Sequence, residues 1–548
     1  MRYSAALFTF LSDKEILQKN KEDNMQFKPI RLAVGCPLFS FCLSLKLPII
    51  KSMFTERSIY MGDNIIKFLM LEDDENLEVV STEVKDGKRI ITIRQRLYPH
   101  FCPVCSYRMH SKDTYWRTVN HPVMQDGFQL ELHVGQRRWK CTNPACGQTI
   151  TDEFSFVEKY KHNSKQTTLM IVDAYRDSNI TTAQIANKFN VSDTYALETF
   201  SKYVDMKRRN LTEAVCIDEV YVDVTRDCKY ALVIQDFITG EPIDMLRSRR
   251  QDVTEPYFAD LPLAEREKVK YLVSDMYKPF IGFVDKYFPN AVSVVDSFHV
   301  VKHINNSLRT YLSKLAKKLR NQDEERHRQR EAAAGKELPF KTSKEYYIVK
   351  NFQWLILSNQ DRINYNQPSR YNYKLGYYID LPGIEHMLFD IDPDLKKLRS
   401  LKEKYIRFNN SYGNDPKKAR PALRQLIQEY RESGYPMFKD IANTLDYHFE
   451  SIINSFIVMK RFCADGTHIS RLSNGPIEGM NRIVADMDRN CRGFRNFEHL
   501  RNRFLFSARK NARMLASPLP REKYANVTGK KRGSYRKKED AADSGKEQ

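Results

Sequence analysis

The chain has 548 residues, with 89 Lys and Arg against 69 Asp and Glu, a formal net charge of +20. That length excludes a single small domain and predicts several, and the basic balance favours a polyanionic partner, nucleic acid rather than membrane. Ten cysteines, four paired by spacing in one short region and the rest scattered among apolar residues, exclude a secreted disulfide framework and fit a reducing compartment with one metal site.

Residues 1–60 read as a leader. Leu32 to Leu45 is apolar but short, broken by Gly35 and Pro37 and followed by Lys46, so neither a membrane span nor a signal peptide is expected. Met53 or Met61 is the expected start. Residues 61–99 form a β region, in which 76–97 alternate and carry a hairpin turn at Asp86-Gly87.

Residues 100–158 hold the cysteine pairs, Cys102-x2-Cys105 and Cys141-x4-Cys146, with strand-like segments such as 128–134 between them. Knuckle, hairpin, knuckle is a zinc-ribbon layout, and four thiolates make a closed, structural zinc site. His110, His121 and His133 read as ordinary strand or surface residues.

Residues 160–208 are helical by spacing. Thr181 to Phe189 is a helix, Val191 plugs a short turn, and Ser192 caps a second helix from Asp193 to Tyr203 with Ala196, Leu197 and Phe200 on one face. This is a helix-turn-helix layout, whose second helix would enter a major groove through Ser192, Thr194 and Tyr195. A plain helical hairpin fits the same pattern. Backbone grip would come from Lys202 and from Lys207, Arg208 and Arg209 beyond it.

From 211 to 308 strands and helices alternate. Asp218 stands inside the apolar strand 214–222, where a carboxylate is costly unless a cation is bound to it. Its neighbour Glu219 points to the other face of the strand. Segments 229–237 and 241–247 make a hairpin with that strand, and a crossover leads to 269–275, which ends in Asp275. A third strand, 291–296, ends in Asp296 and runs into His299 and His303, four residues apart on a helix. Ligands collect at strand carboxyl ends in such sheets, so Asp275 and Asp296 are rivals for a second catalytic carboxylate.

Residues 309–465 read as almost wholly helical and highly charged. A long Arg-rich helical pattern follows within 466–515, beginning after Ser473-Asn474-Gly475-Pro476. Glu478 falls in its first turn, with Asn481 and Arg482 on the same face. As a lone residue Glu478 would be a dipole-friendly cap. With Asp218 and a strand-end Asp it suggests a divalent-metal site for phosphate chemistry. Residues 516–548 read as a disordered charged tail.

The combination of Ile217-Asp218-Glu219, Val273-Ser274-Asp275-Met276, Phe288-Pro289-Asn290-Ala291, Asp296-Ser297-Phe298-His299-Val300 and Ser473 to Asn481 resembles the bacterial ISL-three family of insertion-sequence transposases. The resemblance covers roughly 61–515 and leaves 1–60 unmatched. It implies a multidomain α/β protein: a zinc ribbon and a helix-turn-helix, then an RNase H-like mixed-sheet core (211–308 and 466–515) split by an all-helical insertion (309–465). It implies catalysis by Asp218, Asp275 and Glu478 with two magnesium ions, supported by Asp296, His299 and Asn481, and backbone neutralisation by Arg482, Arg492, Arg495 and Arg501. Asp296-Ser-Phe-His299 fits a signature that follows the second catalytic Asp by one strand, which ranks Asp275 above Asp296. The implied partners are terminal inverted repeats, target DNA and at least one further copy, with no membrane, in a bacterial cytoplasm at the nucleoid. A non-catalytic DNA-binding regulator, and an RNase H-like nuclease without strand transfer, are the competing readings.

Overall fold

The structure, a computed structural model, describes residues 64–524 except 75, 123–128, 225–228, 413 and 464. The expected leader, residues 525–548 of the expected tail and Phe128 lie outside the described residues. The chain forms two compact units. One takes the described residues up to Glu83 with Ile91–Arg117 and His133–Ser155; the other takes Val84–Ile90, Thr118–Leu132 and the described residues from Phe156 on.

An N-terminal sheet contains β1 (Leu77–Lys85), β2 (Lys88–Gln95), β3 (Met109–Asn120), β4 (Gln129–Cys141) and β5 (Thr149–Thr151), in the order β1-β2-β4-β3 with β5 on β4. Asp86 and Gly87 both have positive φ, at 51° and 72°, the backbone that a two-residue hairpin turn demands and Asp-Gly supplies. Because β2 pairs with β4, the expected divide at 99/100 falls within one sheet.

Helices α1 (Lys165–Ala174), α2 (Thr182–Phe189) and α3 (Asp193–Tyr203) follow. Thr181 and Gln184 form a capping box at the start of α2, Asn190 ends it in the left-handed region, and the Ser192 hydroxyl caps α3 by accepting from Tyr195 N at 3.1 Å. Ala196 and Phe200 are buried as their spacing predicts. Residues 515–524 do not trail away. Leu515 N and Leu519 N donate to the carbonyls of Tyr203 and Lys202, each at 2.8 Å, and a one-turn helix at Arg521–Tyr524 puts the Tyr524 ring beneath the Lys202 ammonium.

The central sheet contains β6 (Ala214–Tyr221), β7 (Tyr230–Asp236), β8 (Pro242–Leu246), β9 (Tyr271–Ser274) and β10 (Val292–Val295), in the order β10-β9-β6-β7-β8. β6, β7 and β8 form an antiparallel meander, while β9 and β10 run parallel to β6. Strand alternation divides the side chains between two apolar layers. Val215, Ile217, Leu232 and Leu272 pack with Phe258 of α4 (Gln251–Ala259) and Phe280 and Phe283 of α5 (Lys278–Tyr287). Cys216, Val220, Val233 and Val273 face the other way.

α6 (Ser297–Ala334) is one 38-residue helix. The expected divide at 308/309 lies inside it, because the buried series Val300, Ile304, Leu308, Leu312 crosses that point without a break. Helices α7 (Lys344–Phe352), α8 (Leu381–Ile391), α9 (Asp394–Ser411), α10 (Pro416–Glu432), α11 (Pro436–Tyr447) and α12 (Phe449–Asn454) complete a largely helical stretch. It is not all-helical: β11 (Arg370–Asn372) and β12 (Tyr377–Ile379) form a hairpin, and β13 (Val458–Cys463) pairs with β14 (Gly466–Arg471). Last come α13 (Gly475–Asn490) and α14 (Phe497–Ala508). Ile477, Val484 and Met487 of α13 and Phe504 of α14 close the Cys216 face of the sheet.

Candidate active site

The register of the parallel strands lines up three aspartates. β9 pairs with β6 at Ala214↔Tyr271 through Cys216↔Val273, and β10 pairs with β9 at Val292↔Tyr271 through Val295↔Ser274. Carried forward by the same offsets, Asp275 stands level with Asp218, and Asp296 level with Asp275. Asp218 lies on the face of Cys216 and Val220, the face that α13 covers. Glu219 lies on the opposite face, paired with the Arg249 guanidinium.

The start of α13 is pinned to two of these strands. Asn474 N donates to Asp296 Oδ2 at 2.9 Å, and Asn474 Nδ2 donates to the carbonyl of Ile217 at 3.3 Å. Pro476 fits the first turn because its missing N–H would have no helical partner there. One turn on, Asn481 Nδ2 donates to Asp218 Oδ2 at 2.9 Å and to the carbonyl of Glu219 at 3.3 Å. Glu478 and Asn481 are three residues apart, so both face the aspartate row.

Burial first, then the carboxylates of Asp275, Glu219 and Glu478, push the Asp218 carboxyl up to about 7, against a backbone hydrogen bond at Glu219 that lowers it. An acid so placed favours a proton or a cation. The carboxylates of Asp296 and Glu478 and the His299 ring bring ligand atoms within 4.8 Å of one another; Asp218, Asp275 and His303 are not part of that group. Asp296 is already engaged on both oxygens, Oδ1 accepting from Phe298 N at 3.0 Å and Oδ2 from Asn474 N. The Asp275 carboxylate accepts only from Tyr277 N, at 2.9 Å, among the described residues. Three buried atoms here lack any partner among the described residues, His299 Nε2, Asn474 Oδ1 and Asn481 Oδ1, and an unsatisfied buried polar atom asks for a ligand. A donor set of carboxylates, one amide oxygen and one imidazole fits a hard divalent cation such as magnesium or manganese.

The four knuckle cysteines meet in the first unit. Cys102 Sγ lies 3.7 Å from Cys146 Sγ, and Cys105 Sγ lies 3.4 Å from Cys141 Sγ, with all four within 4.8 Å of one another. A tetrahedral zinc with sulfur ligands at about 2.3 Å would set them about 3.8 Å apart. Burial alone would raise the Cys102 thiol, but hydrogen bonds from the backbone at Cys105 and Val104 and from neighbouring thiols bring it down to about 7, toward the thiolate that metal binding needs.

The expected DNA-contact residues divide. Ser192, Thr194, Arg482, Arg492 and Arg495 are exposed, while Tyr195 and Lys202 are half-buried. Thr194, Arg492 and Arg495 line one cavity of about 880 Å³, together with Thr181, Asp193 and Asn496. Arg501 is a correction. Its Nε and Nη2 hold Asp244 Oδ1 at 2.7 and 2.6 Å, and its Nη1 donates to the Met206 carbonyl at 2.9 Å, so the guanidinium is an internal brace. Arg208 and Arg209 are likewise paired, with Glu265 and Glu241. Sequence reasoning passed over Asn474. Its only local signal is an Asn immediately before a Gly-Pro helix start.

A family model described as Transposase, of the DDE and ISL3 type, matches residues 215–504, more than half of the chain. The chain is also similar to the "Transposase for insertion sequence element IS1001" of Bordetella parapertussis, 21% identical over 405 residues, covering 73% of this chain and 86% of that protein.

Proposed function

This chain belongs to the ISL-three family of DDE transposases, and from that premise we propose that Asp218, Asp275 and Glu478 are the carboxylates with which it cuts and joins DNA. It is an insertion-sequence transposase, an enzyme of metal-dependent DNA cleavage and strand transfer. One observation carries the assignment of residues: a row of aspartates level across β6, β9 and β10, faced by Glu478, in which burial works against the charge of Asp218. Asp218, Asp275 and Glu478 would hold two magnesium ions, which when bound supply a more acidic water and counter-charge for the departing oxygen. Asn481 fixes the rotamer of Asp218, and His299 would contact the scissile phosphate or orient Asp275. Asp296 is a positioning residue, since both its oxygens serve the backbones of α6 and Asn474.

The order β10-β9-β6-β7-β8 supports an RNase H-like core in two parts, 211–308 and 466–515, with 309–465 as the insertion. The region 100–158 acts as a zinc-holding domain through Cys102, Cys105, Cys141 and Cys146, and 160–208 as the helix-turn-helix that reads the terminal inverted repeats. Arg482, Arg492 and Arg495 neutralise phosphates beside them. Pairing two element ends calls for at least a dimer. No helix among the described residues is long and apolar enough to cross a membrane, and the site of action we infer is the bacterial nucleoid.

The test is strand cleavage of end-containing DNA with magnesium. Asp218→Ala, Glu478→Ala and Asp275→Asn should each abolish cutting, and Asp296→Asn should weaken it. Full activity in Asp275→Asn would transfer the second catalytic role to Asp296.

A further inference from the structure

The first 26 residues of α6, Ser297–Gln322, contain no Asp or Glu and six Lys and Arg. One face of this segment is buried through Val300, Ile304, Leu308 and Leu312. On the exposed side stand Lys302, Arg309, Lys314, Lys317 and Lys318. None of these five makes an ion pair among the described residues. The next cation along, Arg320, does, with Glu324 at 2.9 Å. Elsewhere in the helical stretch matched cations, Lys404 with Glu429, Arg420 with Glu450, Arg431 with Asp446, alternate with ones unmatched among the described residues, such as Lys396 and Lys397. An unmatched row on one helix is a field of one sign, which the fold tolerates but does not need.

The row has a direction. At about 100° per residue, His299, Lys302, Asn306, Arg309, Ser313 and Lys317 share one stripe of α6, and the exposed Lys314 and Lys318 flank it beside Lys317. It begins at the imidazole beside Glu478 and Asp296 and runs away from the carboxylates. From Lys302 to Lys318 it spans roughly 24 Å, about seven base pairs of duplex. Its groups are ammonium and guanidinium charges interleaved with Asn and Ser, on the exposed side of one helix. Such groups grip phosphates and read no sequence.

We propose that this stripe is the seat of target DNA. The assignment rests on the active-site reading above. An element end has a fixed sequence and a separate helix-turn-helix to read it, whereas a target varies in sequence and needs a partner that binds backbone alone. Duplex laid along the stripe enters the carboxylates at the His299 end, where the joining step takes place.

The test uses the full-length chain and the triple variant Lys314→Gln/Lys317→Gln/Lys318→Gln, with Lys396→Gln/Lys397→Gln, exposed lysines on α9, as the charge control. Three readouts are taken: affinity for a random-sequence duplex across a salt series, cleavage of end DNA, and joining of a pre-cleaved end into plasmid. The slope of log affinity against log salt should fall by about three in the triple variant and stay put in the control. Joining should drop at least tenfold, with cleavage changed less than twofold. An unchanged slope and unchanged joining overturn the proposal. Equal loss of cleavage and joining also overturns it, by assigning the stripe to the element end. If the parent neither cuts nor joins, the active-site reading fails, while the salt slope still decides whether the stripe binds duplex.

Discussion

Asp218→Asn removes a charge that the metal-free fold resists. The carboxyl moves from an ordinary 3.8 to about 7 on folding, through burial and then through Asp275, Glu219 and Glu478. Well below pH 4 both folded and unfolded chains hold most of the proton and the penalty is small. Between pH 4 and 7 the unfolded chain releases the proton that the folded chain keeps, so stability falls as pH rises, and above 7 the full penalty applies. At about 1.4 kcal/mol per unit the penalty approaches 4 kcal/mol. Asn carries no such charge, and its amide oxygen can accept from Asn481 Nδ2 as Asp218 does at 2.9 Å. The inactive variant should therefore be the more stable protein without metal, by an amount that grows roughly 4 kcal/mol from pH 4 to pH 8. For the large unit that contains the sheet this is on the order of 5 °C in melting temperature. Calorimetry in chelator at several pH values measures it directly. Millimolar magnesium at pH 8 should then raise the parent's transition and leave the variant's in place. A variant that is less stable than the parent, or a difference that does not move with pH, would refute the account of Asp218.

Three further outcomes follow from particular contacts. Asp296→Asn leaves one of the N–H groups of Phe298 and Asn474 without an anionic acceptor, so it should cost about 1–3 kcal/mol and lower cleavage partially, whereas Asp275→Asn should leave the melting temperature within a degree and abolish cleavage. Cys141→Ser should take the bound zinc, counted by native mass spectrometry, from one per chain to none; a variant that keeps its zinc disproves the four-thiolate site. Arg501→Ala breaks a brace to the buried Asp244 and should destabilise by about 3–5 kcal/mol, while the folded fraction, titrated with end DNA, keeps its affinity.

What the sequence disclosed depended on the range of the forces involved. The level row of Asp218, Asp275 and Asp296 was readable as three strand positions because each sits in or just past a short apolar run, and parallel pairing then leaves little freedom of register. The cysteine knuckles were readable for a similar reason, since two or four intervening residues already direct both thiols at one point. Arg501 was misjudged because its reason for being there, Asp244, is 257 residues away. That aspartate lies in β8, buried at every position, so alternation gave no hint that a charge inside it needed a partner. The domain divide expected at 308/309 has no local mark: the buried series of α6 runs through it, and α6 packs on both sides of that point. The same helix thus has its first turn at the carboxylates and its later turns in the inserted stretch. One helix therefore carries both His299 and the exposed cations, so the proposed target seat starts at the carboxylates although it is remote in sequence from Glu478.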